Sequence, residues 1–142
     1  MNKKRIIALD VGDVRIGIAV SDATQTIAQP LCVYKRIGYR PDATHIKALC
    51  DQYETDIVLL GLPLHMDGRK GTQAEKVEAF AQVLSAQGLH ILYQDERMST
   101  VCAEDVLISG NIRRKERKEH VDKLAATFIL EQWLAIQHNK GE

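Results

Sequence analysis

The sequence predicts an α/β fold: a mixed five-stranded sheet, with three antiparallel strands followed by two parallel strands, flanked by helices. Two observations carry this prediction. Residues 5–36 contain three β-rich runs and no helical pattern, whereas the chain from residue 41 onward alternates between helical and extended patterns. A meander followed by β-α units is typical of a mixed sheet, because right-handed crossovers return each later strand parallel to the first.

The meander begins with two apolar runs on either side of Gly12 and Asp13, a spacing typical of a β-hairpin. The third run contains Pro30, which indicates either an edge strand or a strand that starts at that point, because proline has no N–H to donate to a neighbouring strand. The three predicted strands are residues 5–11, 14–21 and 27–36.

Helical and extended segments alternate in the rest of the chain. Pro41 suits the first position of a helix, where its missing N–H loses no partner. Thr72 and Glu75 form a capping box at the start of a later helix, and Gly88 ends that helix. The predicted elements are a helix over 41–53, a strand over 56–61, a helix over 72–87, a strand over 89–94, a helix from Ser99 or Thr100 to residue 109, and a helix over 119–138.

Length and composition fit one globular domain over residues 1–142, with 45% hydrophobic and 27% charged residues. Nineteen basic and nineteen acidic residues cancel, which argues against a protein that coats nucleic acid but allows a local basic patch. No run approaches the ~20 apolar residues that span a membrane. Cys32, Cys50 and Cys102 lack metal-ligand spacing and indicate reduced thiols, so we expect a cytoplasmic location.

Carboxylates lie where this topology brings strand ends together. Asp10 ends the first strand, Asp95 and Glu96 end the last one, and Asp122 lies in the first turn of the final helix. That helix carries small and apolar residues on the same face, which would let it lie close to the sheet: Ala125, Ala126 and Ile129. Carboxylate oxygens favour Mg²⁺ or Mn²⁺, and two such ions about 3.5–4 Å apart support phosphodiester hydrolysis.

Each acid by itself has a simpler explanation. Asp10 could end a strand beside a glycine turn, Asp122 could complement the helix dipole, and Asp95 or Glu96 could pair with Arg97. The functional interpretation rests on their joint occurrence. Because side chains alternate along a strand, only one of Asp95 and Glu96 should face the site.

Two further segments have the composition of phosphate-binding sites. The loop over 61–71 contains glycines, Arg69 and Lys70, and it leads into a helix N-terminus, although an ordinary connection would have the same composition. The run over 113–118 is rich in arginine and lysine and precedes the final helix; a solvated, mobile loop is the alternative. His120 could act as a general acid or base, or simply lie at the surface.

Four segments, which together span nearly the whole chain, resemble the bacterial YqgF/RuvX family: Ala8–Asp22 (ALDVGDVRIGIAVSD), Gly61–Pro63 (GLP), Asp95–Thr100 (DERMST) and His120–Ala126 (HVDKLAA). That family has an RNase H-like fold and is related to the Holliday-junction resolvase RuvC. The resemblance implies a metal-dependent nuclease that matures the 5′ end of pre-16S rRNA in ribosome biogenesis, or alternatively a resolvase of branched DNA.

By this resemblance Asp10, Glu96 and Asp122 would be the catalytic acids, and they would hold two Mg²⁺ or Mn²⁺ ions. Together with the loop and the basic run, the predicted substrate-binding residues are Gly61, Pro63, Lys70, Thr72, Arg97, Arg113, Arg114 and Lys115. The expected partner is nucleic acid, either structured RNA such as pre-16S rRNA or branched DNA, bound by a monomer or a weak homodimer with no membrane involved.

Two other classes compete with this interpretation. Asp10-Val-Gly12 followed by a hairpin also resembles the first phosphate loop of actin-like and sugar kinases, but those enzymes clamp ATP between two domains and need a much longer chain. The second rival is a nucleic-acid-binding module without catalytic activity. The presence of all three acids argues against it.

Overall fold

The chain forms a mixed sheet with helices on both faces, and the computed structural model describes residues 4–64, 68–95 and 114–140 of it. For residues 114–123 and 139–140 only the backbone is described. In chain order the elements are β1 (Ile6–Val11), β2 (Arg15–Ser21), β3 (Ala28–Lys35), α1 (Tyr39–Gln52), β4 (Ile57–Leu62), α2 (Thr72–Ala86), β5 (His90–Asp95) and α3 (Arg114–Lys140).

The five strands lie in the order β3-β2-β1-β4-β5. The pairs β1–β2 and β2–β3 are antiparallel, and the pairs β1–β4 and β4–β5 are parallel. This arrangement confirms the predicted mixed sheet, and each predicted strand ends within one residue of the observed one. Pro30 lies in β3, which is an edge strand, as its missing N–H predicted.

Helices α1 and α2 cover one face of the sheet, and α3 covers the other. On the first face Ile7, Leu9 and Val11 of β1 pack in one cluster with Ile46 of α1 and Phe80 of α2. On the second face a smaller buried cluster combines short and branched side chains: Ile6, Ala8, Ala19, Leu59, Ala126, Ile129, Leu130 and Leu134. Even-numbered residues of β1 therefore face α3, and odd-numbered residues face α1 and α2.

Two helix starts differ from the sequence prediction. Helix α1 begins at Tyr39, so Pro41 is its third residue rather than its first. The whole first turn tolerates proline, because the N–H groups there have no acceptor within the helix. The capping box of Thr72 and Glu75 is wrong: Gly71 is the N-cap, no side chain caps α2, and the N–H of Glu75 donates to the carbonyl of Gly71 (3.1 Å).

Helix α3 begins at Arg114, whereas the predicted start was residue 119. The basic run, expected as a loop, is therefore helical from Arg114 onward, because arginine, lysine and glutamate are strong helix formers. Gly88, with a φ of 88°, ends α2 as predicted. The predicted helix from Ser99 or Thr100 to residue 109 lies outside the described residues. None of the described helices combines the length and the apolar character needed to cross a membrane.

Candidate active site

Asp10 stands between two glycines at the carboxyl end of β1. It pairs with Gly17 of β2. On the other side Leu9 pairs with Leu60, so the register brings Gly61 of β4 beside Asp10. Both glycines are buried and Asp10 is half-buried. At the level of Asp10 the residue on each neighbouring strand is therefore a glycine, so neither strand places a side chain beside the carboxylate.

The face on which Asp10 lies follows from strand alternation: as an even-numbered residue it shares the face of Ala8, under α3. The direction of α3 follows from its far end. The Nε2 atom of His138 lies 3.1 Å from the carbonyl oxygen of Gln25, and the side-chain amide of Gln25 donates to the carbonyl of Lys4 (2.8 Å). The carboxyl end of α3 is therefore at the start of β1, and its amino-terminal half points toward Asp10.

The two acids at the end of β5 are separated by the same alternation. Leu92 packs in the cluster under α3, whereas Ile91 packs against the cluster of α1 and α2. Asp95 has the parity of Ile91, so it lies on the opposite face of the sheet from Asp10. Glu96 lies outside the described residues, as does Arg97.

Asp122 belongs to α3, but it is not in the first turn as predicted, because the helix starts at Arg114. The helix dipole acts within the terminal turn only, so the simpler explanation of this acid as a helix-start residue is wrong. The backbone places position 122 on the stripe of Ala126 and Ile129, both fully buried. Its side chain lies outside the described part of the chain.

The other predicted substrate residues are spread more widely. Lys70, which forms an isolated bridge with Leu64, lies 2.8 Å from the carboxylate of Glu78 and is 55% exposed. The hydrogen bond that Lys70 donates to the carboxylate of Glu78 raises the pKa of Lys70. Such an exposed pair adds little to stability, so a phosphate could replace the glutamate. Gly61 is the second-last residue of β4, and Pro63 follows the end of that strand. Thr72 begins α2, and Arg114 and Lys115 lie in the first turn of α3. Arg113 lies outside the described residues, and the side chain of His120 is not described.

The backbone that follows Asp10 is held by two side chains that the sequence did not single out. Gln73 of α2 donates from Nε2 to the carbonyl of Val11 (3.1 Å). Arg36, just after β3, donates from Nη1 to the carbonyl of Gly12 (2.8 Å). These contacts fix the end of the strand that carries Asp10. No local pattern announces them, because each joins residues far apart in the chain.

Gly12 is required by the hairpin turn itself. Its N–H donates to the carbonyl of Arg15 (2.8 Å), and a Cβ atom at Gly12 would lie 2.9 Å from that oxygen. A Cβ atom this close to a backbone oxygen would force the backbone to shift, so the turn requires glycine at this position. A glycine between two apolar runs was the sequence signal for this turn, and the structure confirms the hairpin.

Arg36 is held in turn by Asp42, a fully buried carboxylate of α1. Asp42 accepts from Arg36 Nε (2.9 Å) and from the backbone N–H groups of Ile37 (2.9 Å) and Gly38 (3.3 Å). Burial alone would raise the pKa of Asp42, but the donors, led by Ile37, outweigh it and hold the pKa below its usual value. The guanidinium lies 5.3 and 5.2 Å from the ring centroids of Tyr39 and Phe80. This network braces the hairpin next to Asp10.

No group of three or more histidine, cysteine, aspartate or glutamate residues is placed to hold a metal ion among the described side chains. Two of the three predicted ligands, Glu96 and Asp122, have side chains outside that part of the chain. The described portion of the site is therefore the carboxylate of Asp10 and its surroundings.

The fold defines the class of protein: RNase H-like, with the architecture of junction resolvases. Thermus thermophilus RuvC, solved in complex with a Holliday junction substrate, matches with a TM-score of 0.59 over 96% of each chain at 15% identity. The Fowlpox virus resolvase, solved with Holliday junction DNA, matches with a TM-score of 0.56 over 94% of this chain and 98% of that chain at 13% identity. At these identities the likeness shows the fold alone, and it confirms the fold prediction.

Sequence comparison then identifies the family. A family model described as "RuvX: Holliday junction resolvase" matches residues 4–136. A relative from Thermoanaerobacter pseudethanolicus is 45% identical over 138 residues, covering 96% of this chain and 99% of the relative. One from Carboxydothermus hydrogenoformans is 44% identical over 131 residues, covering 92% and 95%. Both carry the name "Putative pre-16S rRNA nuclease". The chain belongs to the RuvX family, which confirms the predicted class of enzyme, a nuclease.

Proposed function

We propose that this chain is a divalent-metal-dependent nuclease that hydrolyses phosphodiester bonds of pre-16S rRNA, in the cytoplasm and as a step of ribosome biogenesis. The name shared by relatives at 40–45% identity supports this substrate. One observation carries the chemistry: Asp10 lies half-buried at the end of the central strand, between two buried glycines, on the face that α3 covers.

Glu96 is the proposed partner of Asp10 from β5. Leu92 and Gln94 share the face of Asp10, and residue 96 is the next position of that parity along the chain. Asp95 has the other parity. The alternation therefore supports the assignment of Glu96, rather than Asp95, that the family resemblance implied.

Asp122 is the proposed partner from α3. It precedes the buried Ala126 by one helical turn, about 6 Å along the axis. Asp10 follows Ala8 by two residues, about 6.6 Å along the strand. Because Ala8 and Ala126 pack in one cluster and α3 runs opposite to β1, both steps lead toward the same edge of the sheet.

The proposed donor set fits Mg²⁺ or Mn²⁺, because carboxylate oxygens are hard ligands whose mutual repulsion a divalent cation offsets. A pair of such ions would supply the Lewis acidity that activates a water molecule and stabilises the leaving oxygen. The chain itself holds Asp10 in place through the contacts of Gln73 and Arg36 with the following backbone. Gly17 and Gly61 leave the sheet surface beside the carboxylate open to a phosphodiester.

Substitution of Asp10 by Asn tests the proposal. It keeps the size of the side chain but removes its charge, so cleavage of a 16S rRNA precursor in Mg²⁺ should fall by at least about 100-fold, since even outer-sphere partners of a metal can cost that much. Binding of the precursor should remain. Cleavage time courses and a binding assay on the same preparations measure the two effects.

The matched control is Asp13→Asn, which makes the same change of charge three residues further along. Asp13 is an exposed acid that pairs with Lys76 (3.2 Å), so its replacement should leave cleavage nearly unchanged. Cleavage by Asp10→Asn at the wild-type rate would exclude the proposed chemistry. A wild-type chain that binds RNA tightly but never cuts it in either metal would instead be a binding module.

Branched DNA is the second candidate substrate, favoured by the description of the matching family model. Symmetric cleavage of a four-way junction requires two active sites and hence a dimer, whereas trimming an RNA end requires one. Parallel assays on the RNA precursor and on a four-way DNA junction, with the oligomeric state measured by sedimentation, separate the two. Preferential cleavage of the junction by a dimer would replace pre-16S rRNA as the substrate.

A further inference from the structure

Two cations, Arg15 and Lys35, lie at the rim of the sheet close to Asp10. They are paired across β2 and β3, at the end of the sheet where β1 ends. Arg15 is two residues from Gly17, the partner of Asp10, so it is the diagonal neighbour of Asp10. Cα atoms in that relation are about 7–8 Å apart.

Both cations belong to the face of Asp10. Ile16 and Tyr34 pack with the cluster of α1 and α2, so Arg15 and Lys35, their neighbours in sequence, have the opposite parity. Arg15 is half-buried and Lys35 is exposed. The face under α3 thus carries an acid at the end of β1 and two bases at the rim of the next two strands.

The pairing of Arg15 with Lys35 is unfavourable by itself, because like charges directly opposite each other on neighbouring strands repel. Five other cations among the described side chains have acid partners, in the ion pairs Lys4–Asp56, Arg36–Asp42, Lys47–Asp51, Lys70–Glu78 and Lys76–Asp13. No acid among the described side chains lies within ion-pair distance of Arg15 or Lys35. Among the described side chains, the rim therefore carries two positive charges without an ion-pair partner.

The backbone of α3 continues past the same rim. From residue 138 back to residue 114, α3 is about 36 Å long at 1.5 Å per residue. Strand β1 from Lys4 to Asp10 is only about 20 Å long. The carboxyl end of α3 lies at the start of β1, and the helix is longer than the strand. Its first turns, which carry the basic run, therefore extend beyond the level of Asp10.

We propose that Arg15 and Lys35 bind consecutive backbone phosphates of the nucleic-acid strand that is cut, on the β3 side of the scissile bond. The proposal rests on the proposed nuclease function for the location of that bond. A strand with one phosphate at Asp10 that continues across the rim passes over Arg15 and then Lys35. Contacts of this kind position the substrate and carry no base specificity.

The rival explanation is that Arg15 merely compensates the charge of Asp10. Compensation would affect the metal requirement of the enzyme, because an acid without its neighbouring cation changes its affinity for a divalent ion. It would not affect the salt dependence of substrate binding. Phosphate contacts do the reverse, since each one releases counterions from the nucleic acid and steepens the dependence of affinity on salt.

The test is a binding titration without divalent ions, over a range of salt concentrations, with a labelled single-stranded RNA and a labelled four-way DNA junction as probes. The double variant R15Q/K35Q should lower the slope of log affinity against log salt by about 1.4 on single strands and about 1.8 on duplex DNA. The control K4Q/K47Q removes the same two charges at sites that are already paired with acids, and its slope should equal that of the wild type.

Thermal unfolding checks the variants, and R15Q/K35Q should unfold at the same or a higher temperature, because it removes a like-charge pair. Should it fold poorly, K35Q alone changes an exposed side chain and should lower the slope by about 0.7–0.9. An unchanged slope, or a slope equal to that of the control, would overturn the proposal. Because no cleavage is measured, a wild-type chain that proved inactive would defeat the nuclease proposal and the reference to a scissile bond, whereas the phosphate contacts of Arg15 and Lys35 would still be decided by the slope.

Discussion

The two faces of the sheet are built from different side chains and have different tasks. The face under α1 and α2 is filled by large residues such as Leu9, Ile18 and Phe80, all fully buried. On the face under α3 the strands contribute the short side chains of Ala8 and Ala19 as well as Ile6 and Leu59, with buried glycines beside Asp10. Large apolar side chains supply most of the burial free energy. Short ones let a helix come close to the sheet and leave room for a polar group at its rim.

Each face also contains a carboxylate, and the two differ in their surroundings. Asp42 is fully buried and accepts hydrogen bonds from Arg36, Ile37 and Gly38. Asp10 is half-buried at the edge, between residues without side chains. A buried carboxylate surrounded by donors of its own chain stabilises structure, whereas one at a sheet edge beside glycines has the position that the proposed site requires. The predictions below test this division.

The largest expected effect is that of Asp42→Ala. It leaves the guanidinium of Arg36 buried without its partner, which typically costs about 3–5 kcal/mol of unfolding free energy. The control Asp51→Ala removes another acid of α1, exposed and paired with Lys47, and should cost less than about 1 kcal/mol. Denaturant unfolding of both variants measures the difference. Equal losses would show that the buried network stabilises nothing.

The pH dependence of stability should follow Asp42 in the same experiment. Its pKa in the folded chain lies below the unfolded value of about 3.9, so its contribution is complete above pH ~4 and is lost as the pH falls through the folded pKa. The wild type should therefore lose more stability than Asp42→Ala below pH ~4. Parallel curves would contradict the lowered pKa.

Adjacent residues of β1 provide the next test, since Leu9 and Ala8 face opposite sides. Leu9→Ala should cost about 2–5 kcal/mol by opening a cavity under α1 and α2. Ala8→Leu should cost about 1–3 kcal/mol by overpacking the contact with α3. The two variants should differ in nuclease activity, measured at a temperature at which both are folded. Ala8→Leu should reduce cleavage more than Leu9→Ala, because it displaces the helix that carries Asp122. The reverse order would mean that α3 does not position the site.

The smallest expected effect on the free energy of unfolding, though not on activity, comes from substitutions of Asp95, the last residue of β5, and of Glu96, the next residue in the sequence. Glu96→Gln should lower cleavage by about 100-fold, which corresponds to about 2.7 kcal/mol of activation free energy. Asp95→Asn makes the same change one residue earlier, on the opposite face, and should keep most of the activity. Cleavage rates at saturating Mg²⁺ decide, and a greater loss for Asp95→Asn would reverse the assignment of the ligand.

The fold and the anchor of the site were predictable because their signals are local. Strand periodicity, the Gly12 turn and Pro30 predicted the meander and its edge, and the position of Asp10 at the end of the first strand followed. The start of α3 was missed because the basic run was treated as loop, although its residues favour helix. The capping box failed because Gly71, one residue earlier, ends the loop with its own backbone.

The sequence alone therefore determined the order of the elements, the mixed sheet, the family and the identity of the candidate acids. Only the tertiary structure decided the faces of the described acids, since it places Asp95 opposite Asp10. It also showed that Asp42, Arg36 and Gln73 hold the backbone that follows Asp10. The physical reason is the range of the interactions. Turns and periodic patterns depend on neighbours in the chain, whereas faces, registers and hydrogen bonds between distant residues exist only once the sheet and helices have packed.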